Sequence, residues 1–482
     1  MSSLPYRYIV GLEVHAELNT ETKMFCRCVN KPFGSEPNTN VCPVCLGLPG
    51  TLPVPNREAV KKTILVGLAL ESTIPKISKW DRKHYFYPDS PKAYQISQSD
   101  MPLCVGGHLD LLAPDGSVES TVRFERVHLE EDAGKLQHAA GGVSHVDLNR
   151  AGVPLIEMVS KPDLTSPEQA RRFLQELRLL VRAVGVSDAD MEKGQMRCDV
   201  NINIAFEHEG TTIKTPITEV KNVNSTRAVE RSIATEAQRQ YDEWMADGPI
   251  RTRTNKLTSG WDEDTNEVKI QRAKEGANDY RYFPEPDIPP VAVYELADLN
   301  PKTLVKTLPE LPNSIRKQYA KEVGADLESI LSDREEIEYF KQYIAEGMPA
   351  KVVANWIKQV PDFLSVAQDG DVLAVYGLIK SGDMSFSAFK EKVAQFTADL
   401  HSSRERTAKD TAQTLGLLQV HDENVVQSAI AEVIAANPQA VADYKSGNER
   451  IIGFIVGQVM KKAAGKAQPA HVQEAVKAEL AK

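Results

Sequence analysis

The chain has 482 residues, with 57 Lys and Arg against 67 Asp and Glu, for a net charge of −10. At roughly 150 residues per domain, about three domains are expected. A composition of 41% hydrophobic and 26% charged residues excludes a disordered chain, a collagen-like repeat and a small disulfide scaffold, and the acidic balance excludes a general polyanion binder, so a nucleic-acid partner would have to meet a local basic surface. The longest apolar stretches, Ile64 to Leu70 and Ile451 to Met460, are interrupted by glycines and fall short of the ~20 residues that span a bilayer. Met1 to Tyr8 carries neither an apolar signal core nor an Arg-rich presequence, so a cytoplasmic chain with no membrane partner is expected.

The first ~295 residues are rich in Gly, Pro, Asn and Asp and hold short β-branched runs, the pattern of a mixed α+β domain. The first run, Tyr8-Ile9-Val10, continues into Gly11-Leu12-Glu13-Val14-His15. Alternation assigns Val10, Leu12, Val14 and Ala16 to a buried face and Glu13 and His15 to a cleft or to solvent. Four cysteines follow, Cys26 and Cys28, then Cys42 and Cys45. CxC and CxxC pairs can each clamp one edge of a tetrahedral Zn²⁺. Unmetallated or iron-bound cysteines and a redox CxxC are the other readings, and a disulfide pair is disfavoured in the cytosol. Cys104 and Cys198 stand alone and read as small buried apolar residues. Lys79 to Gln95 interleaves basic and aromatic side chains, as does the segment from Arg272 to Pro284, a composition that can stack bases and pair phosphates.

A strand is expected at Ser120 to Phe124. It leads into His128-Leu129-Glu130-Glu131-Asp132, where three successive acids need solvent or a neutralising cation. In Leu155-Ile156-Glu157-Met158-Val159 the single carboxylate sits in an apolar run and must be paired or do chemistry. Together Glu13, His15, Glu131 and Glu157 would make an oxygen-rich site with one imidazole, suited to Mg²⁺ or Mn²⁺ holding phosphate oxygens. No glycine-rich phosphate loop or HExxH motif is present. Ser166-Pro167-Glu168-Gln169 marks a helix start, with Gly185 able to end it. Asp199 to Ile204 predicts a strand and Arg227 to Met245 a helix. The Pro-rich run Pro284 to Pro290 reads as the end of the first domain. Beyond it, helices are expected over Leu308 to Val323, Arg334 to Ala345 and Met348 to Val360. A polar stretch from His401 to Arg406 sets off a last module of three or four helices, ending in Ala467 to Leu480. Residues 403–482 hold ten basic and nine acidic residues, and from Lys445 onward seven and three. The organisation expected is therefore an α+β cradle domain with an antiparallel sheet over 1–295, a helical linker domain over 296–402 and a small helical tail over 403–482.

Several of these stretches resemble the B subunits of the aspartyl/glutamyl-tRNA amidotransferases, the GatB family. They are GLEVHAEL, KMFCRC, EPNTNVCPVCLGLPGTLP, DRKHYFYPDSPKAYQIS, HLEEDAGK, VDLNRAGVPLIEMVS, MRCDVNINI, KNVNS and DYRYFPEPD, with a closing segment from Gly453 to Ala467. The resemblance runs from about residue 6 to the C-terminus. It implies a ligase that uses ATP and Mg²⁺ to phosphorylate the side-chain carboxylate of misacylated Glu-tRNA(Gln) or Asp-tRNA(Asn). Ammonia then displaces the phosphate, delivered by a tunnel from the amidase (A) subunit of a complex that also holds a small (C) subunit. The residues matching the family's catalytic metal ligands are Glu13, His15, Glu131 and Glu157. Cys26, Cys28, Cys42 and Cys45 match its structural-zinc branch, Lys83 and Lys92 its tunnel, and the tail its tRNA contacts, with Lys461, Lys462 and Lys466 as candidates. Three positions depart from the family pattern, namely Lys161, Gln195 and Asn255, each near expected tRNA or nucleotide contacts. Two other readings are a scaffold that only presents tRNA and a metal-dependent phosphoesterase. The second would want spacings such as Asp399-Leu400-His401 or His421-Asp422, which lie in the helical half.

Overall fold

The structure is a computed structural model describing residues 5–139, 141–248, 256–273, 280–324, 331, 334–403, 405–418, 423–445, 451–462 and 469–480. The chain forms two compact units, Met1–Glu338 and Tyr339–Lys482. The first is α+β and the second all-helical among its described residues.

The first unit is built on a ten-stranded mixed sheet. Its centre is the strand Arg7–Glu17, antiparallel to Pro154–Ser160 on one side and to Met196–His208 on the other. The long strand Val118–Glu131 pairs antiparallel with Pro154–Ser160, and Thr218–Val223 with Met196–His208. The one parallel pair joins Thr218–Val223 to Leu257–Asp262. Val10, Leu12, Val14 and Ala16 are all buried, as alternation requires. They pack with the helices Arg57–Ala69, Pro167–Ala183 and Thr226–Asp247 in one core. The other face of the central strands is therefore free to carry polar groups.

The Pro167–Ala183 helix begins where the sequence predicts, with Ser166 Oγ accepting from Gln169 N at 3.1 Å. The Gln169 side chain turns to Thr165 N at 3.0 Å rather than to the cap residue, so the reciprocal half of a capping box is not made. The Pro-rich run is no free linker. Phe283–Pro284 pairs with the Asp81–His84 strand, and Val291–Ala292 pairs with Ile77–Ser78. Between them the buried Glu285 carboxylate takes two hydrogen bonds from Arg82, at 2.6 and 2.8 Å. Proline is tolerated here because these are short edge pairings.

In the second unit, helix Arg334–Ala345 has the bounds that apolar spacing predicts, and Ala350–Gln359 lies within the expected Met348 to Val360. An aromatic cluster of Trp356, Phe363, Phe389 and Phe396 fills the core of this part. Helix Ala408–Thr414 packs on Asp369–Ser381 and Val393–Leu400, and Met384 bridges to Leu418. It therefore joins the helices before it. A separate small core begins at Val426 and unites Glu423–Ala436, Pro438–Lys445, Ile451–Lys462 and Pro469–Leu480. Among the described residues, no helix is long and apolar enough to cross a membrane.

Candidate active site

Strand register assembles the polar face. Glu157 lies opposite His15 on one neighbouring strand and opposite His128 on the other. Glu13 and Glu130 lie two residues along their strands from those histidines, so their side chains emerge on the same face. His15 Nε2 is 3.3 Å from Glu157 Oε2, 3.8 Å from Glu130 Oε1 and 3.9 Å from Glu13 Oε1. His128 Nε2 is 3.4 Å from Glu157 Oε2 and 3.5 Å from Glu130 Oε2. Ser97 Oγ donates to Glu130 Oε2 at 2.8 Å.

These groups set one another's charge. Burial works against a charged imidazole at His128, but the Glu157 and Glu130 carboxylates outweigh it and push the ring up to about 9. Burial would likewise raise Glu157, yet His128 and His15 hold it well below the usual carboxylate range. Glu13 moves the other way, raised by burial and by the neighbouring Glu157 charge. Lys83 faces the same group. Burial favours its neutral form, and Glu130, Tyr282 and Glu157 prevail in keeping it protonated, with Nζ 5.2 Å from the Tyr280 ring centre.

Three of the four expected ligands come together. Glu13, His15 and Glu157 offer atoms within 4.8 Å of one another, and so do His128, Glu130 and Glu157. Glu131 is not brought into this group. It emerges from the other face of the Val118–Glu131 strand, where it pairs with Lys92 and accepts from Ile96 N at 3.0 Å. The place beside His15 belongs to Glu130, because alternation puts consecutive residues on opposite faces. Each acid of the Glu130-Glu131-Asp132 run has its own basic partner. His128 serves Glu130, Lys92 serves Glu131, and Arg197 donates to Asp132 at 2.8 Å. Sequence reasoning missed His128 and Glu130 as partners, although their two-residue spacing repeats that of Glu13 and His15. It also missed Asp199 and Glu219, which share a second carboxylate group with Glu13 that Lys221 neutralises.

A cavity of about 930 Å³ borders the end of the Arg7–Glu17 strand, lined among others by Glu17, Lys31, Phe33, Lys135, Arg150 and Gln195. Gln195 Oε1 accepts from Asp190 N at 3.2 Å. Lys161 lies on the surface, 3.6 Å from Glu125. Asn255 and Lys466 lie outside the described residues, as do His421 and Asp422. Lys461 and Lys462 end the Ile451–Lys462 helix, where Lys462 pairs with Glu432. Asp399 is held by Arg406 at 2.7 Å.

The four cysteine sulfurs of Cys26, Cys28, Cys42 and Cys45 also lie within 4.8 Å of one another. No disulfide joins them, and Cys42 N donates to Cys45 Sγ at 3.1 Å. Four converging sulfurs with a backbone N–H on one of them fit a closed tetrahedral thiolate site. Cys104 and Cys198 are buried and apart from it.

Residues 8–297 match the family model described as the GatB/GatE catalytic domain, and residues 338–480 match the GatB domain. A Gloeothece citriformis protein, named as the B subunit of an aspartyl/glutamyl-tRNA(Asn/Gln) amidotransferase, is 41% identical over 96% of this chain and 95% of its own length. One of the same name from Moorella thermoacetica is 41% identical over 99% of this chain and 100% of its own. A Clostridium acetobutylicum relative, named as the second of two such B subunits, is 40% identical over 98% of each. The chain belongs to the B-subunit family of the aspartyl/glutamyl-tRNA(Asn/Gln) amidotransferases.

Proposed function

We propose that this chain activates and amidates the side-chain carboxylate of glutamate on tRNA(Gln), of aspartate on tRNA(Asn), or of both, in the cytoplasm. The observation that carries the reading is the row in which Glu157 is shared by His15 and His128, with Glu13 and Glu130 beside them. A carboxylate is a poor electrophile because oxide would have to leave. Transfer of a phosphoryl group from ATP makes phosphate the leaving group, and ammonia attacks the acyl carbon. Glu13, His15 and Glu157 would hold Mg²⁺, which when bound screens charge on the phosphoryl oxygens. The protein's own groups prepare the site. His128 keeps Glu157 ionised, and Ser97 holds Glu130 in place. Lys83, set against Glu130 and Glu157, places a fixed positive charge where anionic substrate groups arrive.

Ammonia must arrive unprotonated, so we assign its supply to a glutaminase (A) subunit, with a small (C) subunit completing the heterotrimer. Lys83 and Lys92 are placed along its path. Cys26, Cys28, Cys42 and Cys45 would hold a structural Zn²⁺. Lys461, Lys462 and Lys466 are placed on the tRNA-binding tail, in the 403–482 domain that follows the 1–295 cradle and the 296–402 linker.

Co-expression with the glutaminase and small subunits, followed by an assay for ATP- and glutamine-dependent conversion of both misacylated tRNAs, tests the reading. Conversion of at least one is expected, and conversion of neither refutes it. Truncation before Glu423 removes the last helical core whole. It is expected to weaken tRNA binding and flatten its salt dependence, and equal affinity at every salt concentration would remove the tail from the account.

A further inference from the structure

A buried ammonium needs a counter-charge or a full set of acceptors, and lysine is among the residues least often found fully buried. Lys23 is 0% exposed. Its Nζ donates to the Asn40 carbonyl at 2.9 Å, lies 3.5 Å from the Leu148 carbonyl oxygen, and approaches Cys45 Sγ at 3.9 Å. Among the described residues no carboxylate pairs with it. Two of its three partners belong to the cysteine knuckle. The third lies in the turn that leads into the Pro154–Ser160 strand, on which Glu157 sits.

Four neutral thiols would leave this ammonium without a counter-charge. Four thiolates on a divalent ion carry a formal charge of minus two, which one adjacent ammonium halves. The surrounding backbone is laced across the same seam. Met24 N donates to the Gly152 carbonyl at 2.7 Å, Leu148 N to Asn38 Oδ1 at 2.8 Å, and Asn40 N to Asn149 Oδ1 at 2.8 Å. Gly152 has φ +86, and a Cβ there would stand 3.6 Å from both Lys23 Cδ and Cys45 Cβ. The turn thus lies directly against the lysine stem and the knuckle.

We propose that Lys23 is a positioning residue that couples the four-cysteine knuckle to the 148–153 turn. Its ammonium offsets the thiolate charge while its carbonyl contacts hold the turn, so that metal loading of the knuckle fixes the entry to the Glu157 strand. The inference rests on reading the four cysteines as a zinc site.

Zinc in the full-length chain is counted by elemental analysis, and its release is followed with a chromophoric chelator. A wild-type chain that never binds zinc would refute the zinc reading itself. Given a loaded wild type, Lys23→Met is expected to release zinc about 10- to 100-fold faster, and release at the wild-type rate overturns the proposal. A thermal cycle separates charge compensation from a merely structural lysine. Lys23→Met should lower Tm in the loaded chain and leave the stripped chain unchanged or more stable, whereas an equal drop in both overturns it. Should the variant not fold, hydrogen exchange of the wild type with and without zinc decides. Faster exchange at Gly152 and Val153 on zinc removal supports the coupling, and loosening confined to the knuckle overturns it.

Discussion

The cysteine knuckle and the histidine–glutamate row both bring potential ligands within 4.8 Å of one another, but by different means. The knuckle draws its sulfurs from one stretch, Cys26 to Cys45, so spacing along the chain nearly determines it. The row draws Glu13 and His15, His128 and Glu130, and Glu157 from three strands, and exists only in one pairing register. A slip of one residue would turn every one of these side chains to the opposite face. Local chemistry is legible in local spacing, whereas the row depends on long-range pairing that must be supported by the core beneath Val10, Leu12 and Val14.

Stripping zinc challenges the local half of this contrast most strongly. A Tm drop of roughly 5–10 °C is expected by calorimetry, since ion binding contributes folding free energy. An unchanged Tm would mean that the knuckle stands without its ion. The long-range half is sharpened by exchanging neighbours. Glu130→Gln is expected to weaken Mn²⁺ binding about 10- to 100-fold in a titration followed by electron paramagnetic resonance. Glu131→Gln should leave that affinity unchanged and lower stability instead, because it frees the partly buried Lys92. The reverse pattern would return Glu131 to the ligand set.

The seam between the two regions gives a smaller effect. Asn38 has φ +59 and bonds Leu148 N and the Val146 carbonyl through its side chain. Asn38→Ala should cost about 1–2 kcal/mol in denaturant unfolding, and a loss within error would show that the seam carries no stability. Ser166→Ala, on a helix remote from both clusters in the chain, serves as the baseline at ~1 kcal/mol.

Much of the scaffold could be read from particular residues. Alternation at Val10 to Ala16 identifies the buried face, Ser166 and Pro167 mark a helix start, and apolar spacing gives Arg334–Ala345 its bounds. What escaped reading depended on partners far along the chain. Composition makes Pro284 to Pro290 a boundary, but Arg82 ties Glu285 back into the first unit. A polar stretch sets helix Ala408–Thr414 apart from the helices before it, yet packing joins it to them. At Glu130 and Glu131 the motif supplies two adjacent acids, and only the pairing of Leu155 with Glu130 and Pro154 with Glu131 assigns each a face. Glu157, isolated in an apolar run, signalled that a partner was needed without saying that it would have two.

The central claim is that the Glu157 row performs the activation step while tRNA is held by other surfaces. Glu157→Gln in the co-expressed complex tests it most directly, with tRNA affinity and ATP- and glutamine-dependent conversion measured on the same preparation. The account expects unchanged tRNA affinity and conversion slowed by ~10²–10³-fold or more. Conversion at the wild-type rate would contradict it.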